Sequence, residues 1–333
     1  MIFKRLGQLL KVNYQFIIFL ITIYFLFQIT LPYYIYTPGG YINLDERIII
    51  KGEKDYPGEL GMAYVGMFKA NIPSILLAAI LPNWDVMKAT DVLNENETDA
   101  DMEYRDKIAF SSANSNAIIA AFALTDRQIL ITDEQNIVVY ITPEATTNLK
   151  IGDQIISFAE QTNFDFKQLT TYIQEQKAGS IVNLKVKRQN KIIRATAKVY
   201  EEQKVKYLGL QIIKNYDYQT NPPVTINFEK SESGPSGGLM TALAIYEDLT
   251  NTNLTKGRKI IGTGTIDSDG QVGEIGGIKY KLLGARNAHA EMFICPLENL
   301  EEALKIKKQE DLKINIIGVH TLKEAINVLK DNS

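Results

Sequence analysis

One serine in this sequence stands where it could act as a nucleophile. Ser236 lies in Gly234-Pro235-Ser236-Gly237-Gly238, between a strand-like run and an apolar helix. Flanking glycines let a substrate backbone approach closely. A helix starting at Gly238 would aim its first backbone N–H groups at a developing oxyanion. A serine hydroxyl is a weak nucleophile without a base. The sequence holds two histidines, His289 and His320, so a histidine-dependent triad would have to use one of them. Lysine is the other conventional partner, because in a partly apolar site its pKa falls and the neutral amine can accept a proton. Gly276-Gly277-Ile278-Lys279-Tyr280-Lys281 offers two candidates. On a helical wheel Lys281 neighbours Ala285 and Ala288, with Lys279 on the other flank, and the wheel does not choose between them. Taken singly, the serine loop reads as a helix cap and each lysine as a solvated surface residue.

Other chemistries are excluded by what is scarce. Cys295 is the sole cysteine, so neither an intrachain disulfide nor a cysteine-based zinc site can form. It sits in Met292-Phe293-Ile294-Cys295-Pro296, which reads as a buried strand rather than a thiol site. Two histidines are too few for a histidine-rich metal site. Asp267-Ser268-Asp269-Gly270 reads as a hairpin turn rather than a metal loop. No metal or cofactor is expected. A net charge of -3 gives no reason to expect nucleic acid as a partner.

Three segments must position these residues. In the first, 37–122, residues 43–51 and 59–68 read as strands, 73–81 as a short apolar helix and 99–122 as a helix with a small-residue packing face. In the second, 123–204, strands are expected at 136–141 and near 151–156, a helix at 166–174, and a hairpin of 179–188 with 192–199 across Gln189-Asn190. The third, 205–333, alternates strand and helix: strands at 224–228, 259–266, 291–295 and 314–319, helices at 238–249, 279–288 and 322–329. Ahead of all three, Lys4, Arg5 and Lys11 precede a stretch with no charge until Asp45. Residues 14–36 are apolar and aromatic enough to read as a retained transmembrane helix, with Tyr33, Tyr34 and Tyr36 as an interfacial belt. Basic residues before it would leave 1–13 in the cytoplasm and the rest outside the cell membrane.

The blocks Gly234-Pro235-Ser236-Gly237-Gly238, Gly262-Thr263-Gly264 and Gly276-Gly277-Ile278-Lys279-Tyr280-Lys281 resemble, in order and spacing, the proteolytic domain of Lon-type proteases. The resemblance implies Ser236 as nucleophile, Lys281 as general base and Thr263 in support by hydrogen bonding. Residues 123–204 resemble a PDZ domain, through Ile151-Gly152-Asp153-Gln154-Ile155-Ile156 and the 179–188 strand. The usual Gly-rich carboxylate loop is not evident there. Together these look like the YlbL/SepM-type membrane-anchored proteases of Gram-positive bacteria. That resemblance implies an α/β (α+β) Lon-type domain, with 37–122 as its amino-terminal part, interrupted by a mainly-β PDZ-like insertion. It also implies a peptidase acting on peptides or small proteins, and it allows a homo-oligomeric ring. No Gly-x-x-x-x-Gly-Lys-Ser/Thr run occurs in the 333 residues, so ATP-driven unfolding is not expected. The alternative is a non-catalytic membrane scaffold whose PDZ segment binds partners.

Overall fold

The computed structural model describes residues 2–50, 57–162, 164–229 and 232–331, with side chains from Val12 onward. In chain order its main elements are α1 (Ile2–Gln28), β1 (Thr30–Asn43), β2 (Glu59–Asn71), α2 (Ile72–Ala78), β3 (Asp85–Lys88) and α3 (Asp99–Ala123). Then follow β4 (Gln128–Ile141), β5 (Gln154–Phe158), α4 (Phe166–Glu175), β6 (Ile181–Arg188), β7 (Lys191–Lys198) and β8 (Leu210–Asn221). The chain finishes with α5 (Gly238–Thr250), β9 (Lys259–Gly262), α6 (Ile278–Asn287), β10 (Met292–Pro296), α7 (Leu297–Gln309), β11 (Asn315–Val319) and α8 (Leu322–Asp331).

Six strands form one mixed sheet in the order β11-β10-β9-β2-β1-β3. β9 runs parallel to both β10 and β2, with Ile260 beside Leu60 and Gly262 beside Met62. β1 is antiparallel to β2 and β3. Side chains alternate across a strand, so neighbouring residues serve opposite cores. Ile260 packs with Leu60, Met62, α5, α8 and the end of α3. Ile261 packs with Ala63, Phe293, α6 and α7. The strands from 30 to 88 therefore share one sheet with those from 259 to 319. α3 joins this body through its carboxy-terminal half, where Ala117, Ala120 and Ala121 are buried and small enough to admit α5 closely. Thr98 caps its start in a reciprocal box with Asp101.

The second sheet, β8-β4-β5-β6-β7, belongs to the segment inserted between α3 and α5. Its hairpin forms as the alternation requires: β6 and β7 pair from Ile181↔Lys198 to Arg188↔Lys191. Gln189 and Asn190 both take positive φ, the geometry of a two-residue hairpin turn. Its core gathers Val138, Phe158, Leu169, Leu184, Ala195 and Leu208. The expected boundary at 204/205 is corrected: β8 pairs with β4 along its whole length, and Leu208, Leu210 and Ile212 pack on this core. Farther along the same ribbon, Ile129 and Tyr218 pack on the core of the first sheet. One long ribbon thus belongs to both domains.

The expected transmembrane helix at 14–36 is also corrected. Helix α1 ends at Gln28, and Thr30 begins β1. Tyr33, Tyr34 and Tyr36, expected as an interfacial belt, lie in this strand: Tyr34 to Tyr36 pair with β2 on one side and β3 on the other, and Tyr33 pairs with β3. Tyr34 is buried and its hydroxyl bonds to Asp99. Among the described residues no helix is long and apolar enough to cross a membrane. The strand expected at 43–51 shrinks to Ile48–Ile50, with Lys51 outside the described residues.

Candidate active site

Ser236 occupies a single 3₁₀ turn, Pro235–Gly237, that opens directly into α5. Gly234 takes φ 90°, a conformation few other residues adopt, and its N–H donates to the Asp106 carbonyl at 3.2 Å. At Gly237 a side chain would collide with the Met62 sulfur at 2.1 Å. Glycine is what lets the turn press against β2. Two donors then fix the serine backbone: the Ser236 carbonyl accepts from Thr263 Oγ1 at 2.9 Å and from the Gly264 N–H at 2.7 Å. Gly264 in turn accepts from the Leu239 N–H at 3.0 Å. Thr263 is fully buried, and its own N–H bonds to Ile294 in the neighbouring strand. Its hydroxyl therefore holds the main chain of Ser236 and makes no bond to the Lys281 amine.

The structure separates the two lysines that the helical wheel left open. Lys279 is partly exposed and ion-paired to Asp85 at 2.6 Å, an oxygen that also accepts from the Tyr280 hydroxyl at 2.8 Å. Lys281 is 4% exposed. Burial alone lowers its pKa to about 8, since no carboxylate stands by to hold the charge. Among the described residues, neither Lys281 Nζ nor Ser236 Oγ has a hydrogen-bond partner. α5 and α6 cover opposite faces of the sheet. Both start against β2, where Gly237 abuts Met62 and Gly277 abuts Val65. Catalytic hydrogen bonds of an unliganded site commonly tighten only with substrate.

Ser236 opens into a cleft of about 770 Å³ walled by Met62, Tyr64, Met67, Arg47 and Glu232. Arg47 binds Glu229 at 2.9 Å and Glu232 at 3.0 Å, tying down the chain just before the nucleophile turn. Lys281 is not among the residues that line this cleft. On the far side of β2 the last β9 pair is Gly262 with Met62, so Ala63 to Met67 present an edge unpaired by β9. Both histidines are exposed and outside the cleft. Cys295 is fully buried and burial pushes its thiol up to about 12, so it is no nucleophile. Asp267 closes a hairpin turn by accepting from the Asp269 and Gln271 N–H groups. Among the described residues no cluster of side chains could hold a metal ion.

The inserted domain carries a feature the sequence reading missed. Between α4 and β8 lies an apolar groove of about 570 Å³, lined by Phe166, Leu169, Ile173, Leu208, Leu210 and Ile212. β8 is the last strand of its sheet, so its groove-side edge is unpaired. At the groove's end stands Tyr207-Leu208-Gly209-Leu210, with Gly209 at φ 71°. This glycine turn follows the hairpin instead of preceding the first strand, which is why a search in the usual place finds nothing. The signal that could have found it is a glycine between two leucines just ahead of an alternating strand.

Comparison with known proteins finds two domain matches. Residues 226–331 match the Lon protease (S16) C-terminal proteolytic domain, and residues 108–199 match a PDZ domain. The chain carries both domains. Among curated proteins it is similar to Lon protease homolog 2, peroxisomal, of Caenorhabditis elegans, 30% identical over 38% of this chain and 16% of that one. It is also similar to the Lon protease of Halothermothrix orenii, 32% identical over 36% of this chain and 15% of the relative. The chain thus spans about one sixth of the length of these relatives. Among solved structures, the PDZ domain of an SdrC-like protein from Listeria monocytogenes aligns at 18% identity and a TM-score of 0.23, over 25% of this chain and 93% of the other. The Lon-type matches support a serine peptidase.

Proposed function

We propose that the chain is a Ser/Lys endopeptidase that cleaves peptides or exposed segments of small proteins without ATP. The observation that carries this reading is Lys281, buried without a counter-ion, with a pKa of about 8. Its neutral amine takes the Ser236 hydroxyl proton as Oγ attacks the scissile carbonyl carbon. The Ser236 and Gly237 N–H groups of the turn are the donors offered to the developing oxyanion. The Lys281 ammonium then protonates the leaving amine, and the amine activates the water that releases the acyl group. The edge of β2 from Ala63 to Met67 receives the substrate as an added strand. The groove of the PDZ domain holds a peptide's free carboxyl end.

Attachment to the outer face of a membrane is part of the same proposal. It is supported by the large apolar side chains of α1 that stay exposed, among them Phe16, Ile18, Phe19, Tyr24 and Phe25. A membrane-impermeant phosphonate serine probe, applied to intact cells and to lysate, tests both parts. Labelling of the Ser236 peptide in lysate, found by mass spectrometry and lost in Ser236→Ala, is the expected result. Equal labelling in intact cells is expected of an outward-facing domain. Label on another residue defeats the nucleophile assignment, and labelling only in lysate defeats the location.

Thr263 has a graded expectation. Thr263→Val removes one donor from the Ser236 carbonyl and leaves the Gly264 N–H in place. The stability cost is about 1 kcal/mol. kcat is expected to fall roughly tenfold with little change in KM, because the serine is held less firmly while binding surfaces stay intact. Wild-type kcat in this variant would remove Thr263 from the site.

A further inference from the structure

We propose that the PDZ groove acts as a ruler for the Ser236 cleft: a substrate held by its free carboxyl end is cut about seven to ten residues upstream of that end. This rests on the Ser/Lys peptidase reading and adds the direction and length of substrate delivery.

The groove has two distinguishable ends. At one, the Gln174 side chain on α4 bonds the Lys206 backbone, accepting from its N–H at 3.1 Å and donating to its carbonyl at 2.8 Å. Lys206 Nζ reaches back to the Gln174 carbonyl at 2.6 Å. This closes the groove beside the Leu208-Gly209-Leu210 turn. A turn with positive φ, its backbone N–H groups and a nearby ammonium suit a carboxylate. A Cβ on Gly209 would lie 2.7 Å from Ala145 Cβ, so only glycine fits. At the other end Asp165, the cap of α4, is near enough to Lys214 to act on its charge.

Direction follows from pairing. A strand added to the free edge of β8 with its carboxylate at the turn runs antiparallel to β8. Its upstream residues then travel from Leu210 toward Lys214. There β8 meets α3: the Lys214 carbonyl accepts from Ser112 Oγ, and Asn215 Oδ1 from Ser115 Oγ at 3.3 Å. The same helix, six residues nearer its start, offers the Asp106 carbonyl to Gly234, two residues before Ser236. The upstream chain is therefore aimed at the body that carries the nucleophile. At about 3.3 Å per strand residue and about 1.5 Å per helix residue, the path from the turn to Asp106 is on the order of 20–25 Å. An extended chain covers that in about seven residues. Tethering at this span raises the local concentration of one short stretch of substrate at the cleft and of no other.

The test uses the full chain and a set of peptides built on one repeating cleavable sequence, ending in leucine, with free or amidated carboxyl termini. Products are mapped by mass spectrometry. Free-acid peptides are expected to release carboxy-terminal fragments narrowly distributed about seven to ten residues, at least tenfold faster than the amides. Lengthening a peptide at its amino end leaves that fragment unchanged. Gly209→Val and Ile173→Glu, which alter different walls of the groove, are expected to cut acid and amide forms alike. Cleavage at sites indifferent to the distance from the carboxylate, or equal cleavage of acid and amide by the wild type, overturns the ruler alone. Failure to cut any peptide overturns the peptidase reading and the ruler with it.

Discussion

Ser236→Ala is expected to lower kcat/KM for peptide cleavage by at least about 1,000-fold, and Lys281→Met to do the same, because a nucleophile and its base act as one unit. The double variant is no worse than either single one, since removing the base from a site with no nucleophile removes nothing further. Lys281→Arg is equally inactive: a guanidinium keeps its proton at any workable pH and cannot serve as base. Fold is not the cause of the loss at Ser236. The contacts that fix the nucleophile turn are made by its backbone, to Thr263 and Gly264, and by Gly234 to Asp106. Alanine keeps all of them. Circular dichroism and thermal unfolding of Ser236→Ala should match the wild type while steady-state kinetics on a fluorogenic peptide fall to background. More than a few per cent of wild-type activity in Ser236→Ala would assign the chemistry elsewhere. It would also revive the scaffold reading, in which the PDZ groove alone is functional.

What could be read from the residues follows how local each signal is. The helix after Ser236 follows paired glycines and is apolar through Ile245 except for Thr241, and it forms where expected, as Gly238–Thr250. The β6–β7 hairpin depends only on alternation and on two residues that tolerate positive φ. The segment around Tyr33 to Tyr36 behaves otherwise. An aromatic, apolar run satisfies both a membrane helix and a doubly paired central strand. Its state is decided by partners some 30 and 50 residues away, in β2 and β3. In helix α7, Leu300, Ala303 and Ile306 sit at helical spacing and Ala303 and Ile306 are buried, but six Glu and Lys residues along the helix mask the stripe.

The site divides in the same way. Ser236, Thr263 and Lys281 are singled out by the resemblance because each belongs to a short block with its own glycines. The environment that separates Lys281 from Lys279 is not local. Asp85, nearly 200 residues earlier, draws Lys279 and the Tyr280 hydroxyl to one oxygen, while Lys281 is buried without a counter-ion. The Arg47 bridges to Glu229 and Glu232 and the edge of β2 are likewise products of the sheet order. The Tyr207–Leu210 glycine turn was hidden by chain order, since it follows the hairpin instead of preceding the first strand.

Lys281 also makes the site unstable in a way that pH exposes. Its pKa is about 8 in the fold against 10.5 for the free side chain. Between these values the unfolded chain binds more protons than the native one, so stability rises with pH through this window. Below about pH 8 the native ammonium is charged and buried, and the full penalty applies, up to about 3 kcal/mol. Lys281→Met, of similar length and without charge, is therefore expected to be more stable than the wild type at pH 7. The difference should shrink from pH 8 upward and vanish near pH 10.5, as read by urea unfolding of both proteins across the range. Activity must run on the same titration. For a substrate without ionisable groups, log kcat/KM rises with unit slope up to about pH 8 and then levels, because only the neutral amine accepts the serine proton. A stability difference that is flat with pH, or a rate already level at pH 6, would mean that Lys281 is not the group that titrates. Stability gained and catalysis lost in one substitution is the signature of a base kept in an environment that disfavours its charge.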